Sequence, residues 1–130
     1  MPGVATVRSE DVKYMLLIYN NPGTWEALSE QERLGLMGEA DALMTELTAS
    51  GEWVGGEALE GRSLSRAVRV REGVPVITDG PFVEAKEHLA GYCVIDCASE
   101  ERALEIAARW PDAKICGMEV RGILEPGETP

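Results

Sequence analysis

One histidine, one phenylalanine and three cysteines are all that 130 residues contain of the side chains that most often build metal cages, aromatic cores and disulfide frameworks. The cysteines stand at 93, 97 and 116. An odd count without small-knot spacing argues against a disulfide framework and fits a reducing cytoplasm, where we expect the chain to reside. Cys93 and Cys97 fall on one face of one strand, roughly 13 Å apart at the usual strand rise, too far to share a zinc ion. His88 cannot supply a cage alone. No metal site is expected, and the cysteines read as small hydrophobes.

Positive charge is scarce too. Twelve Lys and Arg stand against 23 Asp and Glu, a net charge of −11 that discourages contact with nucleic acid or anionic membranes. Such charge serves solubility, or contact with a basic partner. No apolar run approaches the ~20 residues that span a bilayer. The opening "MPGVATVRSEDV" lacks the apolar centre of a secretory signal and reads as a flexible extension over residues 1–12. Nucleophile elbow, P-loop and dinucleotide fingerprint are all missing, and no cofactor is expected.

What is present is a patterned globular chain. Hydrophobic residues make up 45%, enough for one domain with a modest core. "KYMLLIY" (Lys13–Tyr19) reads as a strand buried on both faces, closed by the turn "NNPGT". Ser29 and Glu32 form a capping box. Leu36, Met37, Ala40, Leu43, Met44 and Leu47 then recur at helical spacing toward a core, and Gly51 ends the helix.

Extended structure resumes in "EWVGGEAL" (Glu52–Leu59), with Gly55-Gly56 marking a bulge or a close backbone approach. "RAVRVR" (Arg66–Arg71) alternates, with Val68 and Val70 on one face and Arg69 and Arg71 on the other. Glu72-Gly73 turns it into "VPVIT" as a hairpin. "LAGYCVID" (Leu89–Asp96) is another strand. Ser99 caps a helix over "EERALEIAARW" that Pro111 stops, and "GMEVRGIL" (Gly117–Leu124) is the last strand before a tail over 125–130.

The order β-α-β-(β-hairpin)-β-α-β predicts an α+β ferredoxin-like sandwich over residues 13–124, with two helices on one face of a mainly antiparallel sheet. The other face would stay open. Since "YMLLIY" and "YCVI" offer apolar residues to both faces, a homodimer through the sheet face is expected.

Candidate chemistry gathers in "ITDGPFVEAKEHLAGY" (Ile77–Tyr92). Pro81 restricts Gly80 toward extended backbone, so Asp79 is held at a strand end. Its carboxylate could serve as a base, fix a histidine tautomer, or bond the turn amides. His88 follows nine positions later, as a proton-transfer partner or an exposed strand-start residue. Glu84, Lys86 and Glu87 form a charged rim, functional or merely solvated. Arg62, Arg66, Arg69 and Arg71 make a basic stretch able to bind a carboxylate or phosphate, or to pair with neighbouring glutamates.

At "TDGPFVEAKE" (Thr78–Glu87) the chain resembles the YCII-related, DGPF-domain proteins. "KYMLLIY", "GGEAL", "VRVREG", "LAGYCVID" and "MEVRGI" follow the same family in order and spacing, so the resemblance covers roughly Lys13 to Leu124. It implies a ferredoxin-like fold and a dimer of the α/β-barrel kind, and no particular reaction. The parent YCII group is associated with a histidine–aspartate dyad. Asp79 matches the aspartate-bearing motif, whereas the parent histidine lies near the first helix, where this chain has none. His88 stands where DGPF members usually carry glutamine. Relatives often lie near genes for extracytoplasmic-function sigma factors, which implies a regulatory setting.

Three readings follow. The first is a small enzyme acting on a small polar or anionic molecule. Asp79 would be its general base or orienting carboxylate, and Lys86 and Arg66 would steady developing negative charge. The second is a non-catalytic binding or regulatory dimer. The third, by fold analogy, is a cofactor-free monooxygenase.

Overall fold

The first strand, β1 (Val12–Asn20), and the fifth, β5 (His88–Cys97), form the centre of the sheet, and their alternation decides what lies on each side. In this computed structural model, which describes residues 12–81 and 86–130, every second residue of β5 from Gly91 onward is buried: Gly91, Cys93, Ile95 and Cys97. Leu16 of β1 shares that side and pairs with Cys93 in antiparallel register. The leader expected over residues 1–12 lies outside the described residues up to Asp11, and Val12 opens β1.

Two edge strands complete a four-stranded antiparallel sheet in the order β2-β5-β1-β6, with β2 at Trp53–Ala58 and β6 at Gly117–Gly122. Gly55-Gly56 does both things its sequence suggested. The register shifts between Trp53 and Gly55. A Cβ on Gly56 would stand 2.6 Å from the Tyr92 carbonyl oxygen, so only glycine lets β2 approach β5 this closely.

A short helix, α1 (Pro22–Glu26), occupies what reads in sequence as a plain turn. Asn21 accepts a hydrogen bond from the Gly23 amide at its start, and Pro22 takes the first helical position, where a missing N–H costs nothing. The long helix α2 (Glu30–Ser50) begins with the expected capping box. The Glu32 amide donates to Ser29 Oγ at 3.1 Å, and the Ser29 amide to Glu32 Oε1 at 2.8 Å. Gly51 ends it at φ +80°. Its apolar stripe is buried only in the second half. Leu43 and Leu47 enter the core, whereas Met37 is 54% exposed.

Helix α3 (Glu100–Arg109) packs Ala103, Ile106 and Ala107 on the same face of the sheet as α2. A bidentate contact pins it to the start of β2: Arg102 Nε and Nη2 each lie 2.8 Å from a Glu52 carboxylate oxygen. Trp110 follows, stacked on Trp53 with ring centroids 6.4 Å apart. A further short helix, α4 (Asp112–Ile115), leads into β6. Cys93, Cys97 and Leu16 thus lie beneath the helices, while Met15, Leu17, Tyr92 and Val94 are half-buried on the reverse face, which no described helix covers. Among the described residues, no helix is long and apolar enough to cross a membrane.

The remaining strands, β3 (Arg66–Arg71) and β4 (Val74–Asp79), form a separate two-stranded ribbon. Glu72 (φ +50°) and Gly73 (φ +79°) make its two-residue turn. Both central residues therefore have positive φ, as a type I′ hairpin requires. At the ribbon's foot, Gly80 differs from expectation. It adopts φ +89° instead of the extended backbone that a following proline favours. Its amide donates to the Ser65 carbonyl at 2.8 Å, which closes the foot of the hairpin.

Candidate functional site

A cleft of about 740 Å³ opens where the ribbon leaves the main sheet. The end of β1, the segment after β2, the foot of β3 and the start of β5 all contribute. Tyr19 comes from the end of β1, and Leu59 to Gly61 follow β2. A 3₁₀ turn (Arg62–Leu64) and the foot of β3, Ser65 to Ala67, form one wall. Pro81 and Glu87 to Leu89 form the other. Antiparallel pairing explains the convergence: β1 ends here, β5 begins here, and His88 sits opposite Asn20. Ser65 Oγ donates to the Arg62 carbonyl at 2.6 Å and tightens the 3₁₀ turn that carries Arg62 and Leu64 into the wall.

The structure brings together some of the residues singled out from sequence and leaves others apart. Arg66 and His88 both line the cleft. Asp79 does not line it. It faces Arg66 across the hairpin, with Arg66 Nε 3.1 Å from Asp79 Oδ1 and the two side chains 70% and 89% exposed. Among the described residues, no hydrogen bond or ion pair joins Asp79 to His88. Lys86 is exposed two residues before His88 and is not part of the lining. Glu84 lies outside the described residues.

Three lining positions carry no distinctive signal in the sequence. Leu59 and Leu64 are 45% and 65% exposed and, with Leu89, give the cleft an apolar floor. Tyr19 donates its phenol O–H to Glu119 Oε1 at 3.0 Å, which raises the phenol's pKa, chiefly through that bond. The Cys116 thiol stays protonated at neutral pH, its pKa pushed up first by burial and then by the Glu87 charge. Burial alone pushes the Cys93 thiol up to about 12. Neither of these thiols is an activated nucleophile at neutral pH.

The arrangement can hold an anion beside an apolar body. Arg66 supplies planar donors at one wall, His88 an imidazole ring at the other, and leucines line the floor between. These features define an α+β domain with a mostly apolar, arginine-bearing cleft at one end of an antiparallel sheet. The chain belongs to the YCII-related domain family, whose profile matches residues 12–126. It is similar to a protein of Rhizobium meliloti (strain 1021) described as uncharacterized, 31% identical over 121 residues that cover 90% of this chain and 98% of the relative.

Proposed function

We propose that the cleft binds a small anionic molecule with an apolar body, a carboxylate in the first instance, and that the protein is an acid–base enzyme acting on it. The observation that carries this reading is that Arg66 and His88 line one cleft with an apolar floor. Arg66 pairs with the anion. Asp79 acts as its orienting carboxylate, in keeping with its 3.1 Å contact to Nε. His88 moves the proton, a role that suits imidazole near neutral pH. Lys86, exposed two residues before His88, belongs to the charged rim of the approach. Titration of acetate, benzoate and octanoate by calorimetry tests the binding step. Benzoate and octanoate should bind more tightly than acetate, and Arg66→Gln should weaken both by about tenfold, the loss of one charge-assisted contact. Equal binding by Arg66→Gln contradicts the reading.

We also infer a ferredoxin-like sandwich of the dimeric α/β-barrel type. In support, the strand order β2-β5-β1-β6 puts the first and third strands of the βαββαβ frame at the centre. The open face with Met15, Leu17, Tyr92 and Val94 is the surface through which two copies pair. The three free cysteines fit a cytoplasmic setting.

A further inference from the structure

The β3–β4 ribbon has a face of its own that nothing among the described residues covers. Register pairs Val68 with Ile77 and Val70 with Pro75, so these four side chains project to one side. Val68, Val70 and Ile77 are 54%, 67% and 60% exposed. The patch runs from the turn to the Arg66–Asp79 pair without a polar side chain. All of β4 is exposed, and only Ala67 of β3 is half-buried. A lone two-stranded hairpin is marginally stable in water and needs a partner layer.

We propose that this ribbon is an arm that lies across a second copy of the chain and thereby fixes one wall of the cleft. The proposal rests on the paired-copy reading above and adds the arm and its link to the site. Charge selects the occupant. The arm carries Arg66, Arg69 and Arg71 against Glu72 and Asp79, and is a positively charged part of a chain whose net charge is −11. A second copy offers the acidic surface that such an arm fits, and a like-charged acidic arm would be repelled from it. Six-residue strands reach roughly 20 Å, enough to extend over a neighbouring domain of this size. Two-fold exchange buries two arms at once. Arg66 and Ala67 at the arm's foot belong to the cleft wall, so an arm fixed on the partner also fixes Arg66 relative to His88.

Two measurements on the full chain test this. The first is light scattering and benzoate titration of wild type and of a Val68→Ser, Val70→Ser, Ile77→Thr variant. Wild type should have twice the 14.1 kDa chain mass. The variant should dissociate to monomer at concentrations where wild type stays dimeric, keep the wild-type far-UV circular dichroism, and bind benzoate about tenfold more weakly. The second is hydrogen exchange of wild type, which does not depend on the variant's folding. Amides of residues 66–79 should be protected at high concentration and lose that protection on dilution, while those of β1 and β5 keep theirs. A wild-type dimer in which residues 66–79 exchange like a free peptide overturns the arm and leaves the sheet-face pairing standing. A wild-type monomer overturns both.

Discussion

Arg66 and Asp79 face each other on the first rung of the β3–β4 hairpin, with Nε 3.1 Å from Oδ1, and only the arginine reaches the cleft. On the proposed reading, the aspartate acts through the arginine. Because both side chains are largely exposed, the pair contributes no more than about 1 kcal/mol to stability. Asp79→Asn keeps shape and removes charge. Melting should change little, while benzoate affinity should fall severalfold as Arg66 loses its anchor. Calorimetry beside a thermal melt measures both. Unchanged affinity would make Asp79 a turn residue alone.

Glu72 is the only non-glycine residue with positive φ among those described. A β-carbon at φ +50° is tolerated at a cost that asparagine bears more easily. Glu72→Asn should stabilise the hairpin by a few tenths of a kcal/mol, up to about 1. Faster closing and slower amide exchange in residues 66–79 would report it. Gly73→Ala, at φ +79°, should do the opposite.

Gly56 and Tyr92 set a limit on the β2–β5 pair. A Cβ at position 56 would meet backbone at 2.6 Å and the Cys93 side chain at 2.8 Å, neither of which is a flexible end that can swing away. Gly56→Ala should destabilise the protein by about 1–3 kcal/mol, as overpacking does. Urea denaturation with an unchanged slope measures it. A neutral effect would mean that the edge strand shifts freely.

Cys93 carries the alkaline limit. Its thiol stays protonated in the fold to about pH 12, against an ordinary value of 9, because burial disfavours the thiolate. A raised folded pKa gives stability that is complete below the unfolded value. That stability is lost as pH rises from about 9 toward 12, since the unfolded chain releases the proton first. Tyr14 works in the same direction, its phenol raised chiefly by burial. Melting temperature should fall above pH 9, and Cys93→Ala, though less stable throughout, should show a shallower fall. An identical slope in the variant would remove Cys93 from the account.

Much of this was legible in the chain. The capping box at Ser29 and Glu32, the alternation of Arg66–Arg71 and the glycine pair at 55–56 are local patterns, and each produces the element it signals. Local patterns also overreach. The helical stripe from Leu36 to Leu47 continues past the edge of the core, so its first half stays exposed at Met37. Gly80 takes positive φ because the Ser65 carbonyl, fifteen residues away, claims its amide, and no rule about the following proline contains that contact. The cleft was half legible. Arg66 and His88 stand out as unusual residue types. Tyr19, Leu59 and Leu64 look ordinary and meet only because three strands end at the same edge.

The single histidine makes the central claim directly measurable, because one imidazole gives one ring signal. We would follow the His88 ring carbon and nitrogen resonances by NMR while adding benzoate, in wild type and in Arg66→Gln. If the cleft takes an anion between Arg66 and His88, the His88 signal shifts saturably in wild type, and the shift weakens in the variant. A His88 signal that stays fixed while benzoate saturates the protein, or that shifts equally in Arg66→Gln, would contradict the account.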